Sequence, residues 1–184
     1  KSTVADSICR FQEPDSGQLL INDIAAPSLN LHEYRQNFGI VHQDNFVFDG
    51  TLRDNILYAD STLSDDQILL ACDKAQLHEF ISLLANGLDT IIGENGILLS
   101  GGQKQRLCLA RAFACHKQIL ILDEATSHLD AFNERAIQHA IMDHKENMIT
   151  IVIAHNLDTI KNADLIIVFK DGQHIFSIQC TVKT

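Results

Sequence analysis

Ile119-Leu120-Ile121-Leu122-Asp123-Glu124 is an unbroken apolar run closed by two carboxylates. A strand with no polar residue at its first four positions has to be covered on both faces, the condition of a strand inside a parallel sheet flanked by helices. The C-terminal ends of such strands open on a ligand crevice, and acids belong there when they manage a cation and a water. Adjacent side chains on a strand point to opposite faces, so the two acids have separate tasks. Asp123 is assigned to magnesium, through water, and Glu124 to an attacking water. The plainer alternative is a pair of acids at the mouth of a strand near a helix start, and the surrounding sequence weighs against it.

Upstream stands Leu99-Ser100-Gly101-Gly102-Gln103, ahead of an apolar-periodic helix carrying Leu107, Ala110 and Ala114. Ser100 and Gln103 form an S-x-x-Q capping box. Capping alone leaves two glycines in the first turn unexplained, since each costs up to about 1 kcal/mol of helix propensity. Glycine there lets another group approach the backbone. Bare amides at the positive end of a helix dipole, beside a serine hydroxyl, suit a phosphate. The chain opens on Lys1-Ser2-Thr3 and a short helical pattern, which resembles the tail of the phosphate-binding loop G-x-x-x-x-G-K-[ST] without its glycines.

With Leu99-Ser100-Gly101-Gly102-Gln103, the acidic strand and this opening together, the chain resembles the nucleotide-binding domain of an ABC transporter over nearly its whole length, beginning within the Walker A loop. The remaining family elements occur in order. Gln43, after Ile40-Val41-His42, resembles the Q-loop glutamine; Ser127-His128-Leu129-Asp130 resembles the D-loop; and His155, after Ile149-Thr150-Ile151-Val152-Ile153-Ala154, resembles the switch histidine. The resemblance implies an α/β fold, a P-loop NTPase (RecA-like) core with an inserted helical subdomain, its N-terminal β part missing. It divides the chain into 1–43 and 114–184 as RecA-like core and 44–113 as helical subdomain. It also implies ATP and Mg2+ as cofactors. Lys1 would contact the β- and γ-phosphates, Ser2 would ligate magnesium, and Thr3 would support the phosphate region. Gln43 would sense magnesium and the attacking water, and His155 would hold the γ-phosphate. Each site would be completed in trans by Ser100, Gly101, Gly102 and Gln103 of a second, head-to-tail nucleotide-binding domain, with Asp130 among the ATP-binding residues. A chain starting at Lys1 is expected to be inactive by itself.

At 184 residues and 46% apolar composition the chain can bury a sizeable core. Its 24 acidic and 14 basic residues give a formal charge of −10, which argues against broad nucleic-acid binding but leaves a local phosphate site open. Cys9, Cys72, Cys108, Cys115 and Cys180 form no C-x-x-C pair and sit mostly in apolar contexts, so buried free thiols are expected. No apolar run reaches membrane-spanning length. The coarse pattern predicts a helix from Thr3 to about Arg10, short strands at Leu19 to Ile21 and Gly39 to His42, and a capped helix from Ser64 to Cys72. It further predicts a helix from Asn133 to Asp143, a strand from Ile149 to Ala154, and a hairpin of Leu165 to Phe169 with His174 to Ser177 through Asp171-Gly172.

Thr90-Ile91-Ile92-Gly93-Glu94-Asn95-Gly96 resembles the exporter X-loop, whose acidic residue lies near transmembrane coupling helices. In that reading Phe46 and Phe48 help form the groove for a coupling helix; packing between subdomains is the alternative. The absence of sustained heptads between Gln43 and Ser100 excludes the long coiled coils of chromosome-maintenance relatives. Ser127-His128-Leu129-Asp130 is similar to the D-loop of colicin V-type bacteriocin exporters. Asn156 departs from the arginine that commonly follows the switch histidine. The expectation is an ATPase domain powering an exporter, at the cytoplasmic face of the cell membrane through a transmembrane domain outside this sequence. A soluble ABC ATPase of repair or translation shares the same motifs, and a catalytically silent fragment is the third reading.

Overall fold

The apolar run at 119–123 is the middle strand of a three-stranded parallel sheet. In chain order the elements are α1 (Ser2–Ile8), β1 (Leu20–Ile21), β2 (Ile24–Ala25), α2 (Leu31–Arg35), β3 (Phe38–Val41), β4 (Gly50–Thr51), α3 (Leu52–Leu57), α4 (Asp65–Lys74) and α5 (His78–Ser82). They continue with β5 (Ile91–Ile92), α6 (Gly101–Ala114), β6 (Ile119–Asp123), α7 (Ala131–Met142), β7 (Ile149–Ile153), α8 (Leu157–Ile160), β8 (Leu165–Lys170) and β9 (Gln173–Gln179). The structure, a computed structural model, describes residues 1–42, 45–58, 60–94, 96–115, 117–125, 129, 131–142, 148–155 and 157–180.

The sheet order is β3-β6-β7. Phe38 to Val41 lie opposite Ile119 to Leu122, and Ile119 to Asp123 lie opposite Ile149 to Ile153. Alternation along β6 feeds two cores, because successive side chains leave opposite faces of a strand. Leu120 and Leu122 join a large cluster with Val41, Leu52, Ile56, Ile68, Leu107 and Ala110. Ile121 joins Ala5, Cys9, Tyr34 and Phe38 on the other side. The sheet is therefore packed by α1 and α2 on one face and by α3, α4, α6 and α7 on the other. This layering explains why the run tolerates no polar residue before Asp123.

Local chemistry accounts for the helix starts. Ser64 and Gln67 form the expected capping box of α4, and Thr51 with Asp54 forms a second one at α3. Asn30 Oδ1 caps α2 by accepting from the amides of His32 and Glu33. The predicted helix at the N-terminus ends at Ile8 rather than Arg10, where Cys9 and Arg10 turn away and Arg10 takes φ 55°. The C-terminal hairpin is longer than predicted, reaching Lys170 and Gln179, and turns at Asp171-Gly172, both with positive φ. The antiparallel pairs β1–β2 and β4–β5 join these elements. Among the described residues no helix is long and apolar enough to cross a membrane.

All five cysteines are free, with Cys9 and Cys72 buried and the other three half-buried. Burial, the largest cause in each case, pushes the Cys9 thiol up to about 11 and the Cys72 thiol up to about 12. The thiolate is the reactive form, so at pH 8 alkylation of both should be at least about a hundredfold slower in the folded chain than in denaturant. Mass spectrometry of iodoacetamide adducts measures this; labelling of Cys72 at the denatured rate would mean that the core between α4 and α6 opens freely.

Candidate functional site

β6 ends at Asp123, and Glu124 turns out of the strand with φ 52°, a left-handed conformation rarely adopted by a side chain of this size. Its backbone amide donates to the Ile153 carbonyl at 3.0 Å, so the turn is fixed against the end of β7. Its carboxylate Oε1 lies 2.7 Å from His155 Nε2. The simple opposite-face alternation expected for Asp123 and Glu124 is thus replaced by a turn, which aims Glu124 along the rim of the sheet. Asp123, on the same strand parity as Ile121, belongs to the face packed by α1.

Lys1, Ser2, Thr3, Glu124 and His155 line one cleft of about 520 Å3, together with Val4, Phe169, Asp171 and Gly172. Lys1 Nζ donates to the Ala154 carbonyl at 3.0 Å, which draws the start of α1 to the end of β7. Ser2 and Thr3 open α1 at this cleft, and the first amides of a helix have no intrahelical partner. Cation, helix amides and carboxylate here share one rim. Phe169, Asp171 and Gly172 had no signal beyond a predicted hairpin turn; only the tertiary arrangement brings β8 and its turn to the cleft.

Asp123 is 7% exposed, and its Oδ1 is buried without a hydrogen-bond partner. Leaving a buried acceptor unpaired costs about 1–3 kcal/mol, and a carboxylate oxygen in that condition fits a hydrated divalent cation. Among the described residues no group of three His, Cys, Asp or Glu side chains is placed to cage a metal. Mg2+ needs no such cage, since it keeps several waters and takes one or two protein ligands plus substrate phosphates.

Ser100, Gly101, Gly102 and Gln103 are not among the residues lining this cleft. They open α6, where Ser100 Oγ accepts from the Gln103 amide at 3.3 Å and the Ser100 amide donates to Gln103 Oε1 at 2.8 Å. A Cβ built on Gly101 would meet nothing within 4 Å. Among the described residues no packing therefore requires glycine there. Gln43 and Asp130, with Ser127, His128 and Asn156, lie outside the described residues.

A residue that the motif reading missed is Gln105. It is completely buried, and its Nε2 donates to the Glu124 carbonyl at 3.3 Å. The available signal was a polar residue on the buried stripe of α6, four positions before Leu109.

A second surface surrounds Phe46 and Phe48, whose rings meet edge-on at 4.8 Å, with Tyr58 4.2 Å from Phe48. Phe46 and Tyr58 are largely exposed. Arg111 of α6 stacks its guanidinium 5.1 Å from the Phe48 ring centre and donates to the Asn55 carbonyl at 2.6 Å. Asn55 in turn accepts from the Phe48 amide and donates to the Phe48 carbonyl, both at 3.0 Å. The Glu94 amide donates to Asp49 Oδ1 at 2.8 Å. Gly93, at φ 99°, leaves room for that carboxylate, and a Cβ there would collide with it.

A parallel sheet flanked by helices, with this rim of lysine, helix amides and acids at its strand ends, defines a P-loop nucleotide-binding domain. The ABC transporter family profile matches residues 1–127. An uncharacterized ABC transporter ATP-binding protein of Bacillus subtilis, YwjA, is 48% identical over 168 residues, 91% of this chain and 29% of YwjA. The ABC-type transporter fsqE of Aspergillus fumigatus is 44% identical over 175 residues, 94% of this chain and 14% of that protein. A bacterial Atm1-family ABC exporter with ATP bound superposes with a TM-score of 0.91 at 36% identity, over 96% of this chain and 31% of the exporter chain. The chain belongs to the ABC transporter family, and it spans less than a third of the length of each of these relatives. Membership implies ATP binding and hydrolysis as the family's chemistry.

The two glycine environments make opposite demands. A Cβ on Gly96 would overlap the Ile91 carbonyl, whereas one on Gly101 points into open space. Gly96→Ala should cost about 1–3 kcal/mol of stability, and Gly101→Ala should stay within about 0.5 kcal/mol of wild type. Thermal denaturation decides; equal losses would show that Gly101 is needed for folding.

Proposed function

We propose that this chain is the ATP-binding and hydrolysing domain of an ABC exporter, acting at the cytoplasmic face of a membrane through transmembrane domains. The observation that carries the reading is the single cleft shared by Lys1, Ser2, Thr3, Glu124 and His155. In this reading Lys1 and the first amides of α1 bind the β- and γ-phosphates, and Ser2 with Asp123, through water, would hold Mg2+. The ion, when bound, neutralises charge between the phosphates. Glu124 orients a water and takes its proton as the water oxygen bonds to γ-phosphorus and the β–γ bridging oxygen leaves with ADP. His155, 2.7 Å from Glu124, holds the γ-phosphate on the same rim. Gln43 and Asp130 are assigned to water sensing and ATP binding on sequence alone.

Phosphoryl transfer is mostly positioning and charge stabilisation, so a site open to water on one side needs a cover. Ser100–Gln103 stand outside the cleft, with an unencumbered glycine, and supply that cover to the ATP of a second, head-to-tail copy or homologue. Residues 44–113 act as a helical subdomain in this cycle, with Phe46, Phe48 and Glu94 meeting a coupling helix. The exposed aromatic cluster supports that role. The Ser127-His128-Leu129-Asp130 sequence favours a peptide cargo of the bacteriocin class.

In the full-length transporter, Glu124→Gln should leave ATP binding intact and lower hydrolysis by about a hundredfold or more. The closed dimer should then accumulate, and Ser100→Arg in that background should abolish it. Light scattering and cross-linking with ATP give the readout. Normal hydrolysis by Glu124→Gln, or an intact ATP-dependent dimer with Ser100→Arg, overturns the catalytic or the in-trans assignment respectively.

For the membrane-coupling role, Phe48→Ala or Glu94→Ala should weaken stimulation of ATPase activity by transported substrate more than basal turnover. Equal proportional losses in both rates would remove the support for a coupling groove.

A further inference from the structure

We propose that Gln105 is a positioning residue that fixes Glu124 in its left-handed turn and ties it to the Ser100 end of α6. The proposal rests on the reading of Glu124 given above. Gln105 is completely buried, on the helix that gives Leu107, Leu109 and Ala110 to the main core. An aliphatic side chain of similar length would fill that space without desolvating an amide, so packing alone does not call for glutamine. Gln105 Nε2 donates to the Glu124 carbonyl, at 3.3 Å, a bond that no aliphatic side chain can make.

Glu124 is the residue that needs such a donor. With φ at 52° it has left the ladder of β6, and a left-handed conformation persists only where the surroundings over-determine it. Three contacts do so: its amide on the Ile153 carbonyl, its carboxylate on His155, and its carbonyl on Gln105. The first two come from β7 and the residues after it. Only the third comes from α6, and it lies five residues from Ser100, about 7.5 Å along the helix axis. A displacement of α6 as Ser100 closes on the partner's nucleotide is thereby felt at the Glu124 of the same chain. Gln105 thus joins the half-site that a chain lends to its partner with the half-site that it keeps.

The test uses the full-length transporter with Gln105→Met, which keeps an unbranched chain of similar size and removes the donor, and Gln105→Asn, which keeps the donor one methylene short. Both should lower kcat for ATP hydrolysis about tenfold, the rate equivalent of one hydrogen bond. KM for ATP, the melting temperature and ATP-dependent dimer formation should stay close to wild type. In the Glu124→Gln background, Gln105→Met should lower the residual rate no further, because two residues acting through one group do not add. A wild-type kcat in Gln105→Met overturns the proposal, as does a full additional loss in the double variant. A parallel fall in stability and dimer formation, or failure of both variants to fold, assigns Gln105 to packing and overturns it too. Normal hydrolysis by Glu124→Gln alone overturns instead the underlying reading of Glu124.

Discussion

The parallel pairing of β6 between β3 and β7 is the constraint on which the cleft depends. Parallel strands run in one direction, so all three end at the same rim, with Val41 opposite Leu122 and Asp123 opposite Ile153. The residues that follow the strands are then neighbours in space although they are far apart in sequence. Glu124 and His155 meet for this reason, and the Lys1 side chain reaches the Ala154 carbonyl for the same one. Because β6 is covered on both faces, the first place along it for a charged side chain is its end. The chemistry is pushed to the rim by the core.

That rim is costly. Asp123 leaves a carboxylate oxygen buried and unpaired, and Glu124 holds a backbone conformation that costs about 1–2 kcal/mol in a non-glycine residue. The offset comes from the apolar layers on either side, where Leu120, Ile121 and Leu122 are each almost fully buried. Full burial of one such side chain is worth about 1.5–3 kcal/mol, the same order as the backbone or desolvation cost at the rim. Contacts to Ile153, His155 and Gln105, not the strain itself, keep Glu124 in its left-handed turn.

Much of this was legible before the fold was known, and the divide follows the range of the interactions. The capping boxes at Ser64 and Ser100 are local and were read directly, as was the apolar strand that closes on Asp123. Asn30 and Thr51 also cap helices, but α2 and α3 are only five and six residues long and offer no apolar stripe for periodicity to detect. The pairing of β4 with β5 joins two-residue strands some forty positions apart, too short for alternation to register. Asp49 at the Glu94 amide and Gln105 at the Glu124 carbonyl are side-chain to backbone contacts between distant segments. Nothing in the spacing of residues encodes such partners; they follow from how the helices lie on the sheet. Gln43 and Asp130 rest on motif order alone.

One helix touches each of the surfaces assigned a role. α6 is 14 residues long, about 21 Å, with Ser100 at its start, Gln105 near its middle and Arg111 in its last turn. Gln105 holds the carbonyl of Glu124, and Arg111 holds Asn55 and the Phe48 ring. The helix is packed against α3, α4 and β3, and close-packed interiors move as blocks rather than deform smoothly. In the proposed reading a shift imposed at the aromatic surface is carried by this block to the helix start, and passes Glu124 on the way. Arg111 strengthens that joint, because its guanidinium is largely desolvated, with burial holding its pKa below the usual arginine value, and breaking its contacts would leave a charge without partners. In the reading proposed above, coupling between nucleotide and membrane runs through one element, because the helix that Ser100 opens also holds the Glu124 carbonyl and the Phe48 ring.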